Sequence, residues 1–222
     1  MDWRPLRYLL SGRLTVLSLT ADRVAVLRKP PASQSSGGGG SIPSVVVGRL
    51  AIDAVELAEG VIGPAATVQI ASALESRDDG SISLNARLER TDEAGDFATL
   101  AVARDAQGHI TSEVEARGTA GGPLASLLRA PDSRIDLTAS IRGTMAAGTG
   151  DGILQFDGVS VARFETDWGD ERLTARADVD APQWPLELVR RYVGGEAHLE
   201  MDASLDGGFS LGQLRARMDG AD

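Results

Sequence analysis

At 222 residues, 42% of them hydrophobic, the chain can bury a substantial core, but only 4% are aromatic, which leaves Ala, Leu, Val and Ile to fill it. A formal charge of −10, with arginines set singly between acids, argues against a nucleic-acid partner, and the lack of cysteine excludes a disulfide framework and a thiolate metal site. No run reaches the ~18 apolar residues of a membrane-spanning helix, and Met1-Asp2-Trp3-Arg4-Pro5 has no apolar signal core, so the polypeptide as written is expected to be soluble.

Residues 1–28 hold the first predicted elements, two short strands between Leu14 and Leu27 that meet around Ala21-Asp22. Residues 29–44 follow as a flexible loop, Lys29-Pro30-Pro31 and then Ser and Gly through Ser41, a composition that cannot bury surface. Residues 45–222 read as a repetitive β-groove. Its start echoes the first segment: Gly12-Arg13-Leu14-Thr15-Val16 is matched by Gly48-Arg49-Leu50-Ala51-Ile52, at a spacing that suits repeat architectures.

Six stretches then place apolar residues at every second position. Ile82, Leu84, Ala86 and Leu88 alternate with Ser83, Asn85, Arg87 and Glu89; Leu100 with Val102, and Ile110 with Val114 and Ala116, are shorter and less regular. Ile135, Leu137, Ala139 and Ile141 resume the pattern, followed by Leu173, Ala175, Ala177 and Val179, and by Ala197, Leu199, Met201, Ala203 and Leu205. Strand side chains alternate faces, so the pattern predicts a sheet with one greasy face and one wetted face. Turns fall at Asp78-Asp79-Gly80, Asp105 to Gly108, Asp157-Gly158 and Asp206-Gly207-Gly208. Helical spacing appears only near 122–129, where Pro123 precedes Leu124, Leu127 and Leu128, and near 185–193, which Gly194 ends. These two short helices are expected to plug the sheet or cover part of its apolar face, with Trp184 and Tyr192 as candidates to gate a groove.

The residues give no catalytic constellation. His109 and His198 read as surface residues without a nearby Ser, Asp or second His at ligand spacing, and Ser126 and Ser140 lack a nucleophile-elbow context. Gly148-Thr149-Gly150-Asp151-Gly152-Ile153 is faintly similar to a calcium-binding nonapeptide, but occurs once where that motif needs stacked copies. The acid pairs Asp78-Asp79, Asp92-Glu93 and Asp170-Glu171 suit turns. No enzymatic activity, cofactor or metal is expected.

The opening Leu9-Leu10-Ser11-Gly12-Arg13-Leu14-Thr15-Val16-Leu17-Ser18-Leu19, continued by Ala21-Asp22-Arg23-Val24-Ala25-Val26-Leu27-Arg28 to Pro30, resembles the N-terminal portion of TamB-like proteins, inner-membrane subunits of the translocation and assembly module of Gram-negative bacteria. Val47-Gly48-Arg49-Leu50-Ala51-Ile52-Asp53 to Leu57, Gly63-Pro64-Ala65, and Gly121-Gly122-Pro123-Leu124-Ala125-Ser126-Leu127-Leu128 resemble later segments of the same family. The resemblance implies a mainly β fold, an elongated, curved, antiparallel-rich trough (a β-taco) related to AsmA-like and bridge-like lipid-transfer proteins. It implies a periplasmic piece of a longer protein, anchored to the inner membrane upstream of these residues. It also implies phospholipid acyl chains as cargo and an outer-membrane barrel of the TamA type as partner.

On this reading the groove is lined by Ile82, Leu84, Leu100, Val102, Ile110, Val114, Ile135, Leu137, Ile141, Leu173, Val179, Leu199, Met201 and Leu205. The alternative is a self-closed structural β-module, an adhesin or solenoid segment, in which a second sheet packs across Leu84, Leu137 and Leu199.

Overall fold

A computed structural model describes residues 13–28, 44–77, 79–184, 195–204 and 210–219. The strands are β1 Arg13–Val16, β2 Leu19–Val26, β3 Ser44–Val47, β4 Arg49–Leu57, β5 Ala66–Ser76, β6 Ile82–Arg90, β7 Phe97–Arg104 and β8 Ile110–Gly118. The helix α1, Pro123–Leu127, then interrupts them, and β9 Ile135–Gly143, β10 Gly148–Phe156, β11 Val159–Gly169, β12 Arg172–Asp180, β13 Glu196–Ser204 and β14 Ser210–Asp219 complete the set. The predicted helix near 185–193, with Tyr192, lies outside the described residues, as do most of the 29–44 loop, Asp78, Leu205 and the turn at 206–208.

From β4 to β14 each strand pairs antiparallel with the next, and β2 adds in parallel to the outer edge of β4, giving one open sheet of 12 strands. Among the described residues no second sheet lies across Leu84, Leu137 and Leu199; the strands make extensive contact only with their ladder neighbours. An open sheet this wide curls under its own twist. The apolar side is the more enclosed: Ala86, Ala98, Ala139, Ala175 and Ala177 on it are half-buried, whereas Ala71, Ala73, Ala101 and Ala103 on the polar side are exposed. The result is the curved, mostly antiparallel trough expected from the alternation.

Two details at the start of the chain differ from the sequence reading. The break between the first two strands falls at Leu17-Ser18, and at Asp22 the chain instead skips one pairing with β4, where Ala21 faces Ile52 and Arg23 faces Ala54. That skip coincides with a bulge in the β4–β5 ladder between Ile52 and Val55, so both strands change phase together and Val24 and Val55 return to the apolar side. The echoed segments also do not align in space. The register sets Arg13 opposite Ser44 and Leu19 opposite Leu50, so β1–β3 and β2–β4 continue one parallel ladder that is interrupted where Gly48 meets the Leu17 backbone.

The sheet has two unlike rims. At one, Asp105–His109, Thr144–Ala147 and Asp170-Glu171 reverse the chain tightly, the last with both residues at positive φ (50° and 59°), as a two-residue hairpin turn requires. At the other, longer connections at 58–65, 91–96 and 119–134 fold inward over the apolar side. There α1 carries Pro123 in its first turn and packs Ala125 with Ala130 onto Ile135, Phe156 and Val161, a cluster closed to solvent. Trp184, just past the 3-10 turn Ala181–Gln183, stacks edge-on against Phe156 at 5.4 Å. The prediction that a short helix covers part of the apolar face holds for α1.

Candidate functional site

The register alone places the side chains. Residues paired across a ladder share a face. Starting from Leu137, the chain of partners runs through Leu154, Ala162, Val179 and Ala197 in one direction, and through Ala116, Ala98, Leu88, Ile70, Ile52 and Ala21 in the other. One face is therefore apolar from β2 to β13 without interruption.

Every described residue named from the sequence falls on that face: Ile82, Leu84, Leu100, Val102, Ile110, Val114, Ile135, Leu137, Ile141, Leu173, Val179, Leu199 and Met201. They are not equally open. Ile135 is 0% exposed beneath α1, so it belongs to the sealed rim and not to an open lining. Leu199 is 41% exposed, and Leu19, Val24, Ile82, Leu88, Ile141 and Phe164 on the same face are similarly uncovered. So long an exposed apolar surface is more than isolated soluble domains leave open without a partner.

Sequence reasoning missed a central part of the face. Alternation of apolar side chains does not reveal β10, because Gly148, Gly150 and Gly152 occupy its apolar-phase positions. The β11 pattern was present, with Ala162, Phe164, Thr166 and Trp168 against Arg163, Glu165 and Asp167. The glycines face those side chains directly: Gly148 pairs with Trp168, Gly150 with Thr166 and Gly152 with Phe164. A Cβ built at Gly148 or Gly152 would collide with the ring opposite, and one at Gly150 would come within 2.9 Å of the Thr166 methyl. The glycine alternation thus seats aromatic rings. Among the described residues no group of three or more His, Asp or Glu side chains is placed to share a metal ion.

The opposite face is ionic and solvated. Arg117 reaches Asp136 at 2.8 Å, Ser140 reaches Asp151 at 2.8 Å and Arg176 reaches Glu200 at 3.3 Å, each across one ladder. Both histidines have aspartate partners, contrary to the sequence reading: His109 Nδ1 lies 3.1 Å from Asp105, and His198 Nδ1 lies 2.6 Å from Asp178. Asp105 is four residues from His109, whereas only the β12–β13 register brings Asp178 to His198. Such exposed pairs fix side-chain positions more than they stabilise the fold.

One charged cluster sits on the apolar side. Arg90, buried at the inturned rim, donates to both carboxylate oxygens of Asp92 at 3.1 Å, meets Glu93 at 2.9 Å and lies 3.9 Å from Asp96. Asp96 in turn accepts the Thr119 amide (2.5 Å) and hydroxyl (2.6 Å), and Asp92 accepts the Thr67 amide at 2.9 Å. These bonds tie β5, the 91–96 connection and the segment leading to α1 together. The hydrogen bond from Arg90 holds the Asp92 carboxyl below its ordinary range against the opposing effect of burial, and the same partner raises Arg90 further. Burial alone would push Asp136 up, but Arg117 and Arg134 outweigh it and lower it.

Among the described residues no helix is long and apolar enough to cross a membrane. In comparison with known proteins, the chain matches no family model, no curated protein and no solved structure.

Proposed function

We propose that this chain forms part of a lipid-conducting trough of the TamB-like kind that its sequence resembles, carrying phospholipid acyl chains along its apolar face in the periplasm. The observation that carries the reading is a single 12-stranded sheet whose one face is apolar from β2 to β13 and, away from the inturned rim, lacks a covering layer among the described residues. Acyl chains suit such a surface. Each buried CH₂ gains ~0.8 kcal/mol and asks for no directional contact, so a lining of Ala, Val, Leu and Ile suffices. The ionic face keeps the outside of the trough in water.

On this proposal the activity is passage without covalent chemistry, within a longer protein anchored in the inner membrane and paired with an outer-membrane barrel. Photo-crosslinking amino acids at Leu137 and Leu199 should capture phospholipid, and at Thr138 and Glu200, their neighbours on the opposite face, should not. Equal capture from both faces would defeat the assignment.

A further inference from the structure

The rows of side chains that cross the trough are mixtures of large and small residues, and one of them stands apart. The row Val114, Ala139, Gly152, Phe164, Ala177 and Leu199 follows directly from five successive ladders. Between Val114 and Leu199 its members are Ala, Gly, Phe and Ala, so its floor is a furrow of bare or nearly bare backbone with one ring in it. That ring lies toward β10, over Gly152, and the residue is 37% exposed.

The neighbouring ring is held differently. Trp168 covers Gly148 and donates its indole N–H to the Thr144 carbonyl at 2.9 Å, which fastens it to the Thr144–Ala147 turn. Phe164 has no polar atom to be fastened by, and its seat is a glycine on one side and an alanine on the other.

We propose that Phe164 sets the size of what passes across β10 and β11: its ring is the one bulky group in the furrow, and lying over bare Gly152 it leaves the widest passage that a ring there can. The inference rests on the acyl-chain reading above and adds a residue that determines selectivity within it. Gly152 matters because any side chain there would prop the ring into the furrow.

Replacing Trp3 and Trp184 with Phe leaves Trp168, beside the furrow, as the sole tryptophan and reporter. The full chain in this background is mixed with vesicles of phosphatidylcholine and phosphatidylglycerol brominated on their acyl chains, against unbrominated vesicles as reference. Brominated lipid should quench Trp168. Phe164→Ala should raise the quenching severalfold, Phe164→Leu should fall between, and Gly152→Ala should lower it. The double variant Gly152→Ala with Phe164→Ala should recover what Gly152→Ala lost. Should Gly152→Ala unfold, as circular dichroism would show, the two Phe164 variants decide the matter alone because they leave the backbone unchanged. Quenching of equal size in the parent and both Phe164 variants overturns the role of the ring and leaves the lipid trough standing. No quenching in any of them, Phe164→Ala included, removes the lipid reading and this inference with it.

Discussion

At the rim where α1 folds over the sheet, Ile135 and Val161 are sealed from solvent, and near the opposite rim Ile82 and Ile141 are 40% and 41% exposed. The same alternation of residues produced both. The difference lies in the connections. The segments at 58–65, 91–96 and 119–134 are long enough to turn back over the apolar side, and a small residue marks each close approach: Gly63 against Ser126, Gly118 against Leu124, Gly122 against Asp96. Turns such as Asp170-Glu171 reverse the chain within the plane of the sheet and bring nothing to cover it. The protein thus concentrates its packing at one rim, which lets the remainder of the apolar face stay open without unfolding.

The largest effect should come from setting the same kind of truncation at the two places. Phe156→Ala removes a ring packed against Ala125, Ile135 and Trp184, and should lower stability by about 3–5 kcal/mol, as truncation in a well-packed core does. Leu199→Ala, on the open face, should lower it by no more than about 1 kcal/mol, because a Leu side chain is worth about 1.5–3 kcal/mol only when fully buried. Urea unfolding of the two variants checks the contrast. Similar losses at both positions would mean that the open face is covered in solution.

Charge placed on the open face gives a smaller effect with a sharper functional readout. Leu137 is half-buried on β9, paired with Leu154 and Ala116. Leu137→Arg should fold with a loss on the order of 1–2 kcal/mol, since partial burial is given up and the guanidinium can extend along the trough toward water. A face closed by a second layer would instead suffer about 3–5 kcal/mol for an unpaired buried charge. The variant should also lose phospholipid capture from a crosslinker at Leu199. A folded variant that still captures lipid there would separate the fold from the proposed passage.

How much of this contrast could be read in the residues depends on what the sheet does with each side chain. Leu84, Leu137 and Leu199 were legible because period-two alternation is a local property of a strand, and face follows from parity alone. The apolar phase of β10 was not, because glycine carries no hydrophobic signal and its meaning depends on Phe164 and Trp168 in the next strand. Ile135 was placed on the right face, but its burial depends on a helix that must fold back over it, and that docking is tertiary. His198 and Asp178 were joined only by the register of β12 and β13. The Arg90 cluster was legible only in part: parity from Leu88 puts Arg90 on the apolar side, but Asp92 and Glu93 suit a turn in their own right, and nothing local says that this turn folds back to pair with it.

The smallest expected effect is an acid loosening of the ties at the inturned rim. Asp92 and Asp136 both lie there, and both carboxyls are held below the ordinary value; Asp79 and Asp105 in the opposite turns are lowered too, but they are exposed and tie only their own turns. A group whose folded-state pKa is depressed contributes stability that is complete above its unfolded pKa, about 3.9 for Asp, and is lost as pH falls through the folded value. The rim should therefore be fully tied at neutral pH and begin to loosen below about pH 5. The amide of Thr67 reports this directly, because it donates to Asp92 Oδ1 at 2.9 Å. Its hydrogen exchange, corrected for the intrinsic effect of pH, should accelerate between pH 5 and pH 3, whereas strand amides in β12 should not change over that range. Asp92→Asn should remove most of this dependence by leaving no carboxylate to protonate. Equal acceleration in β12, or a dependence that survives Asp92→Asn, would show that acid loosens the sheet as a whole and not the ties at this rim.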